Sequence, residues 1–155
     1  MIINNYNNTM NKLLLISLVI FTQINLSSAD FVVKMLNQSS TGVMVFEPAV
    51  LEIEVGDTVT FQSTDAAHNS ASIPGMIPAG ASAWNGQLSR DTTVTFDIPG
   101  IYGYQCTPHA MMAMVGVIKV GGDSSNKDSV QAAAKLYKST FVMNQTRLDD
   151  YLSKI

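Results

Sequence analysis

One thiol and one of only two histidines fall within nine residues, Cys106-Thr107-Pro108-His109-Ala110-Met111-Met112-Ala113-Met114, beside three of the chain's nine methionines. A cysteine offers a thiolate, a histidine a neutral imidazole nitrogen and a methionine a thioether, and such a mixture of donors suits copper passing between its two oxidation states. Each residue type also has a plain structural use. A free cysteine packs as a small apolar side chain, and methionines fill irregular gaps in cores. The rest of the chain has to separate the two readings.

Cys106 is the only cysteine and cannot pair within the chain. The apolar run Leu13–Phe21 follows Lys12 and precedes a polar stretch ending in Ser27-Ser28-Ala29, the pattern of a secretory signal peptide over residues 1–29 cut after Ala29. Its nine residues fall well short of the ~20 that a membrane-crossing helix needs, so no membrane span is expected in the mature chain. A lone thiol in an exported protein meets an oxidising compartment, and coordination to a metal would both protect it and explain its presence. Removal of the leader takes only Lys12 from the charge count, leaving eight basic residues against twelve acidic ones. That balance argues against nucleic acid as a partner.

The elements that position these residues are mostly strands, and the length suits one compact domain. Phe31, Val33 and Met35 alternate with Val32, Lys34 and Leu36, and Asn37 to Gly42 reads as a turn. Val43–Phe46 follows, and Pro48 places it at an edge or ends it. Leu51, Ile53 and Val55 share one face of the next run; Gly56-Asp57 then reads as the turn of a hairpin into Thr58–Gln62, with Val59 and Phe61 inward. Residues 63–87 hold His68, Asn69 and Trp84 without sustained period, and a long irregular crossing in a small domain is usually functional. Trp84 is expected to cap the core. Strands return at Asp91–Asp97, at Ile101–Cys106, where Tyr102, Tyr104 and Cys106 share a face, and at Val115–Val120. Two amphipathic helices close the chain. Val130, Ala133, Ala134 and Tyr137 follow a cap at Asp128, and Leu148, Tyr151, Leu152 and Ile155 follow Asn144. The expected layout is a signal peptide over 1–29, a β-sandwich over 30–122 and a helical extension over 123–155 packed on the same domain. Loops of an antiparallel sandwich or Greek-key barrel gather at its ends, which brings His68 toward Cys106, His109 and Met114.

Cys106-x-x-His109-x-x-x-x-Met114 with an upstream His68-Asn69 resembles the blue copper proteins called cupredoxins, and within them the pseudoazurins. Met44–Pro48, Gly56–Phe61, Gly75–Pro78, Pro99-Gly100-x-Tyr102 and Cys106–His109 resemble segments of that group in the same order. The resemblance implies a mainly β, cupredoxin-like Greek-key sandwich of about eight strands with two C-terminal α-helices. It implies one type 1 copper held by His68, Cys106 and His109 near one plane, with Met114 as axial ligand, and Asn69 tying the two ligand loops together through Thr107. Such a site implies an electron carrier rather than an enzyme: a periplasmic monomer shuttling one electron between redox proteins such as a nitrite reductase or a cytochrome c. A copper storage or delivery module is the alternative. Around His109, the residues Met44, Met76, Ile77 and Pro78 with Pro108, Ala110, Met111 and Met112 are expected to form an apolar docking patch. Two departures stand out: Gln38, Ala66, Asn85 and Gln105 occupy positions where the group carries lysines, and Ala67 stands where a glycine is expected before the first histidine.

Overall fold

The computed structural model describes residues 27–155, so the leader expected over 1–29 lies outside the described residues except for its last three. Strands β1 (Asp30–Ser39), β2 (Gly42–Glu47), β4 (Thr58–Gln62) and β6 (Thr92–Thr95) form one four-stranded sheet in the order β2-β1-β4-β6. The second sheet joins β3 (Val50–Ile53), β5 (Ala71–Ser72), β7 (Gly100–Gln105) and β8 (Val115–Val120) in the order β3-β8-β7-β5. Helices α1 (Lys127–Tyr137) and α2 (Arg147–Leu152) end the chain. The expected two-sheet sandwich with two C-terminal helices is therefore present.

The expected hairpin across Gly56-Asp57 does not form. β3 runs parallel to β8, whereas β4 runs parallel to β1 and antiparallel to β6, so the two runs belong to opposite sheets. Gly56 takes φ 93, and the buried carboxylate of Asp57 accepts the backbone N–H groups of Glu54 and Ala29, which turns the chain out of one sheet and into the other. Ile53 and Val59 still meet in one interior, because facing sheets satisfy the same alternation as a hairpin does. The sandwich is thus mixed rather than antiparallel throughout. β1 also runs on through Asn37 to Ser39, leaving a shorter turn than the polar residues suggest.

The core lies in two layers. Between the sheets, Phe46, Phe61, Tyr104 and Trp84 form a chain of aromatic contacts, with Phe46 and Phe61 each about 5 Å from Tyr104 and Trp84 stacked on Phe61. Trp84 caps this core as expected. Beneath the helices, Ile101, Val115 and Val117 meet Val130, Ala134 and Leu148. Tyr102, Tyr104, Ile118 and Val120 face the first layer and Ile101, Val115 and Val117 the second, so β7 and β8 are covered on both faces. Burial of that kind explains their mostly apolar character, which only Gln105 and Lys119 interrupt.

The helices bury the stripes expected of them, but their starts differ. α1 begins after Asn126, not at an Asp128 cap, and the Asn126 side chain bonds both backbone groups of Ile101 instead of the helix. α2 begins after Thr146 and is only six residues long, while Asn144 takes a left-handed φ of 52. Met76 and Pro78 are not on a docking patch: Met76 is fully buried beneath Gly103, and Pro78 packs on Gly100. Ile77 is half-buried against the inter-sheet core.

Gly116 sits directly across from Tyr104 in the β7–β8 ladder, and a Cβ there would lie 2.2 Å from the Tyr104 ring and 2.6 Å from the backbone oxygen of Ala49. The ring cannot retreat without breaking its hydroxyl bond to that same carbonyl. Gly116→Ala is expected to destabilise the fold by about 2 kcal/mol or more through overpacking, measured by chemical denaturation.

Candidate metal centre

The β7–β8 hairpin builds half the site. Gln105 pairs with Val115, and one step beyond the ladder the Cys106 N–H donates to the Met114 carbonyl at 2.9 Å. Cys106 and Met114 thus stand opposite each other at the mouth of the hairpin, both wholly buried in the inter-sheet layer. Thr107–Met112 closes the hairpin as a short 3-10 turn that starts with Pro108 near its N-terminus. Non-helical dihedrals at His109 (φ −110, ψ 17) interrupt the turn, and the His109 N–H returns to the Cys106 carbonyl at 3.2 Å. His68 enters from the crossing after β4, in a wholly buried position.

Three of the four sequence-nominated donors converge. His68 Nδ1 lies 3.1 Å from His109 Nδ1 and 3.6 Å from Cys106 Sγ, and His109 Nδ1 lies 3.3 Å from the same sulfur. A point equidistant from all three sits about 1.9 Å from each, close to the ~2.0–2.1 Å of a zinc–imidazole bond and inside the ~2.3 Å of a zinc–thiolate bond. These are the only residues among those described whose His, Cys, Asp or Glu donor atoms cluster in a group of three or more, all within 4.8 Å. Two imidazole nitrogens and a sulfur, all within 3.6 Å of one another, are a donor set that suits copper. The hairpin sets buried Met114 across the backbone from Cys106; Met111 is 56% exposed and Met112 half-buried.

The surroundings favour the ligating form of His68 and oppose that of Cys106. Burial pushes the pKa of His68 down, the neighbouring His109 adds to this, and Asp65 opposes it, so the ring keeps a free lone pair at neutral pH. His68 Nε2 lies 3.0 Å from Asn37 Oδ1; a proton held there leaves Nδ1 as the acceptor facing the site. Burial pushes the Cys106 thiol up, and the backbone N–H groups of Asn69 and His109 pull it back. Asn69 ties the His68 segment to the Cys106 loop through Thr107 as expected: its Oδ1 accepts the Thr107 N–H at 2.8 Å and its Nδ2 donates to Thr107 Oγ1 at 3.0 Å. Asn37 was not foreseeable from spacing. It reads as a turn residue, and only the extension of β1 past Leu36 carries it to a histidine 31 positions away.

Five non-glycine residues adopt positive φ among the described residues, and all adjoin this centre. Ala67 (φ 67) precedes His68, and Ala113 (φ 57) precedes Met114. Ser89 accepts the Ala67 N–H on its hydroxyl and donates its own N–H to the His68 carbonyl; Asn144 donates to the Met112 carbonyl. Met44 (φ 47) lies opposite Asn37 in the β1–β2 ladder, where the pairing is interrupted. Each such residue costs of order 1–3 kcal/mol and persists only where surrounding contacts over-determine it, and such residues concentrate at functional sites.

A β-sandwich that gathers two imidazoles and a thiolate between the ends of its strands has the architecture of a blue copper protein, a cupredoxin. The chain belongs to the copper binding proteins of the plastocyanin/azurin family, whose model matches residues 33–121. Within that family it groups with the pseudoazurins. It is 36% identical to pseudoazurin of Paracoccus pantotrophus, over 83% of this chain and 85% of that one. The crystal structure of pseudoazurin from Methylobacterium extorquens AM1 superposes with a TM-score of 0.70 at 37% identity, and that from Hyphomicrobium denitrificans with 0.72 at 33%; each match covers 81% of this chain and 98% of the other. The resemblance in the motifs therefore holds, and with it a single type 1 copper as cofactor and electron transfer as the activity.

Two outcomes follow from the geometry. Ala67→Gly removes a strained Cβ at φ 67 and should raise stability by about 1 kcal/mol, read as a higher midpoint of thermal unfolding. Asn69→Ala strips the Thr107 N–H of its partner and should cost about 1–3 kcal/mol by the same measurement.

Proposed function

We propose that this chain is a periplasmic one-electron carrier whose copper is held by His68 Nδ1, Cys106 Sγ and His109 Nδ1, with the Met114 thioether as the fourth, axial donor. Bound copper supplies one-electron chemistry by alternating between Cu(I) and Cu(II). The observation that carries the assignment is the gathering of two imidazole nitrogens and a thiol sulfur within 3.6 Å of one another from two separate segments. Met114 is preferred over the other methionines because the hairpin sets it across from Cys106 inside the protein, whereas Met111 points largely to solvent.

The residues then have distinct tasks. Four protein donors leave no position for a substrate, which favours a carrier over an enzyme and distinguishes the site from catalytic metal sites that keep an open position. Asn69, Asn37 and the Cys106–Met114 backbone bond hold the donors in one arrangement, so little has to move when an electron arrives. His109 is half-buried, and we take Pro108, Ala110, Met111, Met112 and Met44, all exposed or half-buried, as an apolar rim around it. Such a rim suits the brief, small contacts of redox partners. Gln38, Ala66 and Asn85 are exposed and uncharged, so contact with a nitrite reductase or a cytochrome c would rest on this rim rather than on charge steering. The export pattern of residues 1–29 supports the periplasm as location. We take residues 30–122 as the sandwich of one monomeric domain, and 123–155 as its helical cover.

Copper titration of the purified protein is expected to give an intense blue thiolate-to-copper absorption band; its absence would overturn the copper assignment. Met114→Ala should shift that band, and Met111→Leu should leave it nearly unchanged. Loss of the band in Met111→Leu would transfer the axial role to Met111.

A further inference from the structure

Arg147 opens α2, yet its guanidinium is turned into the protein and the residue is only 9% exposed. Nη1 donates to the carbonyls of Met44 and Ala113, each at 3.0 Å, and Nη2 to that of Val43 at 3.3 Å. The two ion pairs among the described residues are Lys119–Glu52 and Lys138–Asp149, so this buried cation is balanced by carbonyl dipoles rather than by a carboxylate. Two of its three acceptors belong to residues held at positive φ, Met44 and Ala113. Ala113 is the residue before Met114 and is wholly buried, and Arg147 supplies a hydrogen bond to its carbonyl.

We propose that Arg147 is a positioning residue for the axial methionine and sets the electrostatic poise of the copper: its forked guanidinium locks the Ala113–Met114 peptide to β2, and its fixed positive charge favours the reduced metal. This rests on the reading of Met114 as axial donor. The planar fork of arginine reaches three carbonyls on two elements at once, which the single ammonium of lysine cannot do. An orphaned, buried Ala113 carbonyl would turn toward another donor or toward water, and the direction in which Met114 leaves the backbone would change with it. A fixed cation in a low-dielectric region acts on the metal's charge more strongly than the same charge would in water. It stabilises the state in which the site carries less positive charge, which is Cu(I).

The test compares the copper-loaded protein with Arg147→Met, Arg147→Lys and, as a control for net charge on the same terminal segment, Lys154→Met at an exposed position. Absorption spectra report the thiolate–copper–thioether geometry, and voltammetry reports the reduction potential. Arg147→Met should shift the blue band and lower the potential. Arg147→Lys should shift the band while keeping the potential nearer that of the parent, and Lys154→Met should change neither. A folded Arg147→Met protein with the parent's band and potential overturns the proposal. Should Arg147→Met fail to fold, Arg147→Lys decides, and an unshifted band in that variant overturns the positioning role. Absence of a blue band in the parent protein itself would instead overturn the copper assignment beneath it, so the two failures are distinct.

Discussion

The hydrogen bond from the Cys106 N–H to the Met114 carbonyl sets the geometry on which the site depends. It extends the β7–β8 ladder one step past its last regular pair and so sets Cys106 and Met114 across from each other, both buried in the inter-sheet layer. The ladder can hold that register because both of its faces are covered, one by the aromatic inter-sheet layer and the other by the helices. A slip of one residue would send Tyr102, Tyr104 and Cys106 to the helical side and Val115 and Val117 to the aromatic side, which neither layer could accommodate. The packing of the whole domain therefore selects the pairing of two side chains.

Against this rigid hairpin, the other donors are held by polar bonds and local strain. His68 belongs to an irregular crossing whose backbone is pinned by Ser89 and Asn69 rather than by a sheet. Left-handed dihedrals at Ala67 and Ala113 set the entry to two of the four nominated residues. Strain of this size is a small fraction of what the two core layers provide, yet it fixes donor directions that regular strands cannot reach. Little rearrangement on a change of metal charge is the physical requirement of an electron carrier, and the division between a rigid hairpin and a pinned loop meets it.

Much of this was legible in the residues. The strand-like runs gave every strand but the two-residue β5, which lies in the stretch read as irregular, and the bounds of Val115–Val120 match β8. The spacing from Cys106 to His109 and Met114 gave the loop, because short-range spacing survives folding. What was not legible depended on contacts between distant segments. The alternation at Leu51–Val55 and Val59–Phe61 fits a hairpin and a sheet crossing equally well, and the choice fell to the buried carboxylate of Asp57. Met76 and Pro78 were read as surface because their segment lacks period, whereas the absence of side chains at Gly100 and Gly103 opens space for them in the core. Asn37 bonds His68 from 31 positions away and Arg147 bonds the Ala113 carbonyl from 34 positions away, with no local pattern to announce either.

The position of α2 bears on how copies of this chain behave in a crowded compartment. β2 is the outer strand of its sheet, and an outer strand exposes backbone groups that can template pairing with a strand from another molecule. Here the carbonyls of Val43 and Met44 end on the Arg147 guanidinium. A strand docking at that point would have to displace a buried cation and strip it of its acceptors. The same side chain that reaches the metal loop thus blunts a potential aggregation edge.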